Sequence, residues 1–190
     1  MRIKKKKQTE KFQISDLRSK ADQGDPEAQI ALGLLYVEGK KGVPQDYAKA
    51  LRWLEKAAAQ GEALAQYELG VMYYSGEGVP QDYAKARQWY EKAAVQGKVE
   101  AQVNLGVMYD EGDGIPQNYA KARHWFTKAD AQGDAEAAYS LRVLHQEGHG
   151  VPKNTAKANR YFQKAAERGR IWQRILRGLN ENTKARSSAA

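Results

Sequence analysis

His145, Glu147 and His149 come nearest to a metal-binding cluster by residue type and spacing. Imidazole and carboxylate groups both bind zinc, so their proximity in the sequence raises the question of a metal site. However, His145 stands where earlier copies of a repeated pattern have tyrosine, and His149 lies in a glycine-rich loop. We interpret both histidines as divergent repeat positions and expect no metal.

The sequence signals of catalysis and of cofactor binding are missing as well. The Gly-x-Gly loops lack the Gly-Lys-Ser/Thr of a phosphate-binding loop and the preceding strand of a dinucleotide site. There is no Gly-x-Ser-x-Gly elbow, and the absence of cysteine excludes a thiol nucleophile, thiolate metal sites and disulfides. We therefore predict a protein that is not an enzyme and has no cofactor, with a hydrolase as the least favoured class.

Four copies of one unit follow each other through most of the chain. Proline recurs at 44, 80, 116 and 152, and the octapeptide VPQDYAKA occurs at 43–50 and again at 79–86. A period of this length is typical of solenoids built from stacked supersecondary units. We place the repeats at 25–61, 62–97, 98–133 and 134–169, with the additional residue of the first repeat in its loop at Lys40–Lys41.

Each repeat is predicted to form two helices, here called helix A and helix B. Apolar residues at helical spacing, such as Ala28, Leu32 and Leu35, indicate helix A, and the loop that follows it contains glycine and proline. Helix B is expected to begin after an Asx cap and to stop at a glycine. The caps are Asp46, Asp82, Asn118 and Asn154, and the stops are Gly61, Gly97, Gly133 and Gly169.

Glycines inside helix A indicate close packing between the two helices. A glycine in a helix interior costs about 1 kcal/mol relative to alanine, so Gly33, Gly70 and Gly106 need a packing reason. We expect that reason to be the large aromatic residue of helix B, which is Trp53, Trp89 or Trp125. The fourth repeat departs from the pattern with Arg142 in the glycine position, as expected of a terminal repeat.

The flanks of the repeats are predicted to be caps and tails. Residues 12–24 resemble the end of a helix B, and residues 170–180 carry Ile171, Trp172, Ile175, Leu176 and Leu179 as an apolar stripe. We expect capping helices at 12–24 and 170–180, and disordered tails at 1–11 and 181–190.

The repeats resemble the Sel-one-like repeat family, which is related to the tetratricopeptide repeats. The second repeat carries the family pattern at Ala65, Leu69, Gly70, Tyr73, Gly76, Gly78, Val79, Asp82, Lys85, Ala86, Trp89, Ala93, Ala94 and Gly97. The resemblance implies an all-α fold, an α/α right-handed superhelical solenoid of four helical-hairpin repeats with terminal capping helices. It also implies a role as a protein-binding adaptor.

A second apolar row on helix A, here called the helix-A row, is the candidate binding surface. Ile30, Leu34 and Val37 form it in the first repeat at i, i+4 and i+7, and resemblance to tetratricopeptide solenoids implies that it lines the concave face. With its flanking acids, the candidate set is Ile30, Leu34, Val37, Glu38, Tyr67, Val71, Tyr74, Val103, Val107, Asp110, Glu111, Tyr139, Val143 and Glu147. The alternative is that the row only packs between neighbouring A helices, although the tyrosine hydroxyls need a polar outlet.

The charge is concentrated at the two ends of the chain. Residues 1–11 and 168–190 each carry six Lys/Arg and one Glu, so of the net charge of +8 they hold +5 each, and 12–167 holds −2. We interpret the basic ends as solvated tails, with nucleic-acid or anionic-surface binding as the alternative. Because aromatic residues do not alternate with the basic runs, nucleic acid is a disfavoured partner.

The sequence predicts a scaffold or adaptor without catalytic activity. Its expected partner is a segment of another protein with apolar and basic residues, and an immunity or inhibitor protein that occludes a bacterial effector is the alternative. No run of residues is long and apolar enough to span a membrane, and no signal peptide is evident. We therefore expect a cytoplasmic protein, or a periplasmic one if a signal peptide has been removed; the oligomeric state is left open.

Overall fold

The structure, a computed structural model, describes residues 14–40 and 42–169. Over these two ranges the chain forms nine α-helices and no strand, which confirms the all-α class built from helical-hairpin repeats. The helices are α1 (14–22), α2 (Pro26–Glu38), α3 (Tyr47–Ala59), α4 (Ala63–Ser75), α5 (Tyr83–Val95), α6 (Val99–Glu111), α7 (Tyr119–Ala131), α8 (Ala135–Glu147) and α9 (155–169).

The helices belong to two compact units. One lies within Met1–Ala101 and Asp113–Ile115, and the other within Gln102–Gly112 and Pro116–Ala190. In the order of the chain, α2, α4, α6 and α8 are the A helices and α3, α5, α7 and α9 are the B helices. The predicted tails at 1–11 and 181–190 and the predicted cap at 170–180 lie outside the described residues, as do residues 12 and 13 of the N-terminal cap.

Side-chain caps start the B helices as the sequence predicts. The side-chain oxygens of Asp46, Asp82, Asn118 and Asn154 accept hydrogen bonds from the backbone amides three residues later, at 2.9–3.0 Å. Each bond satisfies one of the amides that the first helical turn leaves free. At α2, Asp25 accepts from the amides of Glu27 and Ala28, and Pro26 occupies the first turn.

Glycines after three of the B helices turn the chain toward the next repeat. Gly61, Gly97 and Gly133 have φ values of 97°, 92° and 93°, a region that favours glycine because it has no Cβ. The prediction that Gly169 ends helix B in the same way is wrong. Gly169 is itself helical and does not have a positive φ, so α9 includes it.

The helix-A glycines make room for the residue that follows the tryptophan, not for the tryptophan itself. A Cβ on Gly33 would lie 2.8 Å from Leu54 Cγ, and a Cβ on Gly70 or Gly106 would collide with the ring of Tyr90 or Phe126. The expectation that Trp53, Trp89 and Trp125 fill this space is therefore wrong. Each tryptophan instead lies beneath a lysine one turn later, with Lys92 Nζ 4.0 Å from the Trp89 ring centre.

Two hydrophobic clusters hold the first unit together. In one, α1 packs on the first repeat through Ala21, and Leu32, Tyr36 and Ala50 are buried with it. In the other, the first and second repeats share a core, whose buried members are Ile30, Leu54, Ala57, Ala58, Ala65, Leu69 and Met72. Helix A of the second repeat thus covers helix B of the first, which is the contact expected of stacked repeats.

Candidate partner-binding surface

The helix-A row of the first repeat is mainly packed within the protein. Ile30 is 8% exposed and belongs to the core shared with α3 and α4. Leu34 is half-buried against the same core, and Val37 is half-buried against the core around α1. Glu38, the acid that follows them, is exposed. In this row, Leu34 and Val37 therefore remain partly accessible to a partner, whereas Ile30 serves to pack the core.

In the second repeat, the helix-A row on α4 contains two tyrosines and a valine. Tyr67, Val71 and Tyr74 are all half-buried. The Tyr67 ring lies 5.9 Å from the ring of Tyr90 and 5.4 Å from Lys98 Nζ. The Tyr74 hydroxyl donates to Asp113 Oδ2 at 2.5 Å, and its ring meets Tyr83 edge-on at 5.2 Å. Tyr74 therefore already has a polar outlet within the chain.

In the second compact unit, burial varies strongly along the row. Val103 is 5% exposed, whereas Val107, Asp110 and Val143 are half-buried and Tyr139 is 52% exposed. Glu111 and Glu147 are exposed. Burial raises the pKa of the Asp110 carboxyl, although His149 opposes this. The packing alternative therefore applies to Val103 as it does to Ile30.

Glu68 is a candidate site residue that the sequence analysis missed. It lies on α4 beside Tyr67 and is half-buried. Burial raises the pKa of its carboxyl; Lys98 lowers it, and Glu100 and Glu38 raise it further. The equivalent residues Ala31, Asn104 and Ser140 are small or polar in every repeat. This variation does not mark the position as a site, so the sequence carries no signal that would have identified Glu68.

Lys98 is a cation that acts on both Glu68 and Glu100. Its Nζ lies 2.8 Å from Glu100 Oε2. Burial by itself raises the pKa of Glu100, but this hydrogen bond, a backbone hydrogen bond and the charge of Lys98 together hold the pKa below its usual value. The α4 surface of the first unit therefore combines half-buried aromatic rings with one partly desolvated carboxyl group, that of Glu68, near the exposed Glu38 and Glu100. Such a combination can hold apolar and cationic side chains of another polypeptide.

Two grooves in the described part of the chain do not coincide with the helix-A row. One, of about 690 Å³, lies between α1 and α3 and is lined by Asp22, Lys49, Arg52, Trp53, Glu55, Lys56 and Ala59. A second, of about 320 Å³, is lined in part by Ile14, Arg18 and Tyr36. Both have mixed charge, with Arg18 donating to the Tyr36 hydroxyl at 2.7 Å.

The histidines do not assemble a metal site in the structure. Within 14–40 and 42–169, no three His, Asp or Glu side chains are grouped so that they could hold a metal ion. His145 is 7% exposed and stacks on Tyr161, and His149 stacks on Tyr119. Over the same residues, no helix has the length and apolar character that crossing a bilayer requires.

Comparisons with known proteins identify the repeats. The crystal structure of c5321, a protective antigen of uropathogenic Escherichia coli strains with an SLR fold, is similar to this chain with 42% identity and a TM-score of 0.80. A Sel1 repeat protein from Oxalobacter formigenes is 37% identical with a TM-score of 0.73. The alignments cover 84% and 77% of this chain but only 34% and 58% of those chains.

A curated relative is similar over a shorter stretch. The ERAD-associated E3 ubiquitin-protein ligase component HRD3A of Arabidopsis thaliana is 37% identical over 78 residues, which are 41% of this chain and 11% of that protein.

The Sel1 repeat model matches residues 26–62, 63–98, 99–134 and 133–169. Because these four matches span well over half of the sequence, the chain belongs to the Sel1 repeat family.

Proposed function

We propose that this chain is a non-catalytic scaffold that binds a polypeptide segment of a partner protein on its A helices. Sel1 repeat proteins generally mediate protein–protein interaction, which supports the class of function. The observation that carries the proposal is the α4 surface, where Tyr67, Val71 and Tyr74 remain half-exposed beside the carboxyl of Glu68. Aromatic residues in partly desolvated surroundings are the usual anchors of protein interfaces.

The expected partner segment has apolar anchors and a lysine or arginine. The apolar anchors would contact Leu34, Val71 and the tyrosine rings, which keep part of their surface exposed. A cation would lie near Glu68, where Glu38 and Glu100 add negative charge. Burial makes the ionised form of Glu68 costly, and a cation placed next to it would offset that cost.

In the second unit, the same role falls to the residues that stay accessible. Val107, Asp110 and Val143 are half-buried, and Glu111, Tyr139 and Glu147 are exposed. Ile30 and Val103 are structural by their burial and are left out of the proposed surface. The immunity or inhibitor alternative would use the same surface, so the identity of the partner distinguishes it from the adaptor.

The test replaces one valine in the row and one valine outside it. Val71→Asp introduces a charge on α4 in the middle of the proposed surface. Val95→Asp makes the same change on α5, where the side chain is 71% exposed. We expect both variants to keep the helical circular dichroism of the parent. Val71→Asp should weaken capture of the native partner on the order of tenfold, and Val95→Asp should not.

Equal capture by both valine variants and the parent would refute the proposed surface. If Val71→Asp lowers the melting temperature strongly, Glu68→Lys provides a second variant, because it reverses charge without adding a charge to an apolar position.

The nucleic-acid alternative is tested by raising the salt concentration, because a phosphate-binding mode weakens steeply with salt and should be lost on deletion of residues 1–11.

A further inference from the structure

The imidazole of His145 is a buried polar group that lacks a hydrogen-bond partner within the described part of the chain. The residue is 7% exposed, and its Nδ1 is enclosed without making a hydrogen bond to any of the described residues. Its ring stacks on Tyr161 of α9, with the ring centres 5.8 Å apart. Buried polar atoms are nearly always hydrogen-bonded, so an exception of this kind calls for an explanation.

A lysine of helix B lies over the ring at this position of the repeat. In the first three repeats its Nζ is 5.0–5.5 Å from the ring centre of a tyrosine, in the pairs Lys49–Tyr36, Lys85–Tyr73 and Lys121–Tyr109. Lys157 holds the equivalent position on α9, where the ring is that of His145. Burial lowers the pKa of His145 most, and the charge of Lys157 lowers it further. The lysine therefore acts on an imidazole where the earlier repeats have a phenol.

Arg123 of α7 is a second cation that acts on the same imidazole. After burial and Lys157, its charge is the third cause that lowers the pKa of His145. At the equivalent position of α5, Arg87 Nη1 lies 2.7 Å from Glu91 Oε1, one turn later. One turn after Arg123 the chain has Thr127, which carries no charge. Among the described residues, no acid forms an ion pair with either cation of this group.

We propose that Arg123, His145 and Lys157 form a binding site for an oxyanion, namely a phosphate or carboxylate group of a ligand. Guanidinium, ammonium and protonated imidazole groups all donate hydrogen bonds, and these bonds are stronger when the acceptor is charged. Arg123 and Lys157 are exposed, so a ligand reaches them from solvent, and because Nδ1 is enclosed, Nε2 is the imidazole nitrogen that would face it. The inference does not depend on the proposed function, because none of the three residues belongs to the helix-A row.

Binding of an oxyanion should reverse the effect of the two cations on His145. An anion beside the imidazole favours the protonated form, so the pKa of His145 should rise on binding, and binding should tighten as the pH falls through that titration. The groups that act on the imidazole or stack against it are Arg123 of α7 and Lys157 and Tyr161 of α9. Of this set, His145 is the residue type that titrates between about pH 5 and pH 8.

An NMR titration of the His145 imidazole in the full chain tests the site, with the signal assigned by its absence in His145→Tyr. Sulfate is the first probe because its charge is constant over this pH range, and sodium chloride at equal ionic strength controls for screening of the cations. We expect sulfate to raise the pKa of His145 by about half a unit or more relative to chloride. Phosphate and acetate then distinguish the two ligand types, since the one with the larger effect identifies a phosphate or a carboxylate group.

Two variants at exposed positions connect the effect to the proposed site. Arg123→Gln removes a donor, and Thr127→Glu supplies the acid that Glu91 provides to Arg87, so each should weaken sulfate binding about tenfold. The matched control, Arg52→Gln, removes an exposed arginine of α3 and should leave the affinity unchanged. The proposal is overturned if sulfate, phosphate and acetate raise the pKa of His145 no more than chloride does. It is equally overturned if either site variant binds sulfate as tightly as the parent.

Discussion

Arg168 and Asp130 form an ion pair that joins the fourth repeat to the third. Arg168 Nη1 lies 2.6 Å from Asp130 Oδ1, and Nη2 donates to the Asp130 carbonyl oxygen at 2.9 Å. Asp130 is 6% exposed, so the pair is shielded from water on the acid side. Lys164 also approaches the carboxylate, at 2.9 Å from Oδ2.

This pair replaces two glutamines of the earlier repeats. In the second repeat, Gln96 donates to Gln66 Oε1 at 2.9 Å, and Gln66 donates to the Ala58 carbonyl oxygen of the preceding repeat. The fourth repeat has Ala138 at the position of Gln66 and Arg168 at the position of Gln96. A single arginine thus reaches the preceding helix B where the earlier repeats use two amides.

We predict that Asp130→Ala destabilises the chain by about 2–4 kcal/mol. Removing one member of a buried ion pair leaves the other without its partner, at a cost of roughly 3–5 kcal/mol when both are fully buried. We expect a smaller loss than this because the Arg168 side chain is 22% exposed, so that water can partly replace the missing carboxylate. The measurement is the urea midpoint of the full chain, with Asp22→Ala, which removes an exposed carboxylate, as the control. A midpoint equal to that of the control would contradict the structural role.

The triple variant Asp130→Ala/Ala138→Gln/Arg168→Gln should recover most of this loss. It rebuilds the pair of amides seen between Gln66 and Gln96, including the donor to the preceding helix B. The free energy of unfolding should return to within about 1 kcal/mol of the parent, because a neutral hydrogen-bonded network can replace a buried ion pair. A triple variant no more stable than Asp130→Ala would show that the two arrangements are not interchangeable.

The helices and their caps were predictable from the sequence because they depend on local signals. The Asx caps and the 36-residue spacing of proline need no knowledge of distant contacts. The partner of Gly70 was not predictable, because Trp89 and Tyr90 are adjacent in the sequence and only the rotation of helix B decides which one faces helix A. Likewise, the pairing of Arg168 with Asp130 depends on which residues of successive B helices meet.

We predict that Gly70→Ala is destabilising although alanine is the better helix former. Alanine in place of a helical glycine favours the helix by about 1 kcal/mol. The added Cβ, however, would collide with the Tyr90 ring, which is buried in the core at 1% exposure. Overpacking of this kind costs about 1–3 kcal/mol, so we expect a net loss in thermal stability.

Gly169→Ala is the matched control for the Gly70 variant. Gly169 is also helical, but among the described residues no atom outside its own helical turn lies within 4 Å of the position that its Cβ would take. Alanine at 169 should therefore raise stability by up to about 1 kcal/mol. Melting temperatures that shift in the same direction for both variants would contradict the packing argument.

His145 should make stability depend on pH. Burial lowers the pKa of the imidazole from its usual 6.5, and Lys157 and Arg123 lower it further. Because the folded state holds the proton less tightly than the unfolded state, stability is complete above pH 6.5 and falls as the pH drops below it. Each unit of pKa depression corresponds to about 1.4 kcal/mol.

The variant His145→Tyr isolates this effect. Tyr36, Tyr73 and Tyr109 occupy the equivalent position beneath a lysine of helix B, so a tyrosine fits the repeat. We expect the difference in urea midpoint between pH 7.5 and pH 5.5 to shrink in His145→Tyr, and to stay as in the parent in His124→Gln, because His124 is exposed. An unchanged pH dependence in His145→Tyr would refute the assignment.

The candidate surface was only partly predictable for a physical reason. The helix-A row was found from its spacing, but spacing does not distinguish Ile30 and Val103, which are buried, from Tyr139, which is 52% exposed. That distinction depends on whether another helix covers the residue. Glu68 was missed because one carboxylate on a helix has no sequence signature, and its partial burial beside Lys98 is a tertiary property.

Glu68→Gln should stabilise the free protein at neutral pH. Since burial raises the pKa of Glu68, the folded state favours the protonated carboxyl, and stability is lost as the pH rises from its usual 4.5 through the raised value. Glutamine removes this charge while keeping the shape. The urea midpoint at pH 7 should therefore increase relative to the parent, and the difference should shrink toward pH 4. Glu55→Gln, at an exposed position of α3, should change little.

The same variant should bind the partner more weakly, and the combination is informative. A half-buried carboxylate that costs stability is retained more easily if it contributes to recognition. If Glu68 contacts a lysine or arginine of the partner, Glu68→Gln loses a charge-assisted interaction worth about 1–2 kcal/mol, which corresponds to roughly 5- to 30-fold in affinity. Higher stability together with weaker capture would support this role. Higher stability with unchanged capture would show that Glu68 takes no part in binding. The basic residue of the partner would then have to contact a different part of the surface.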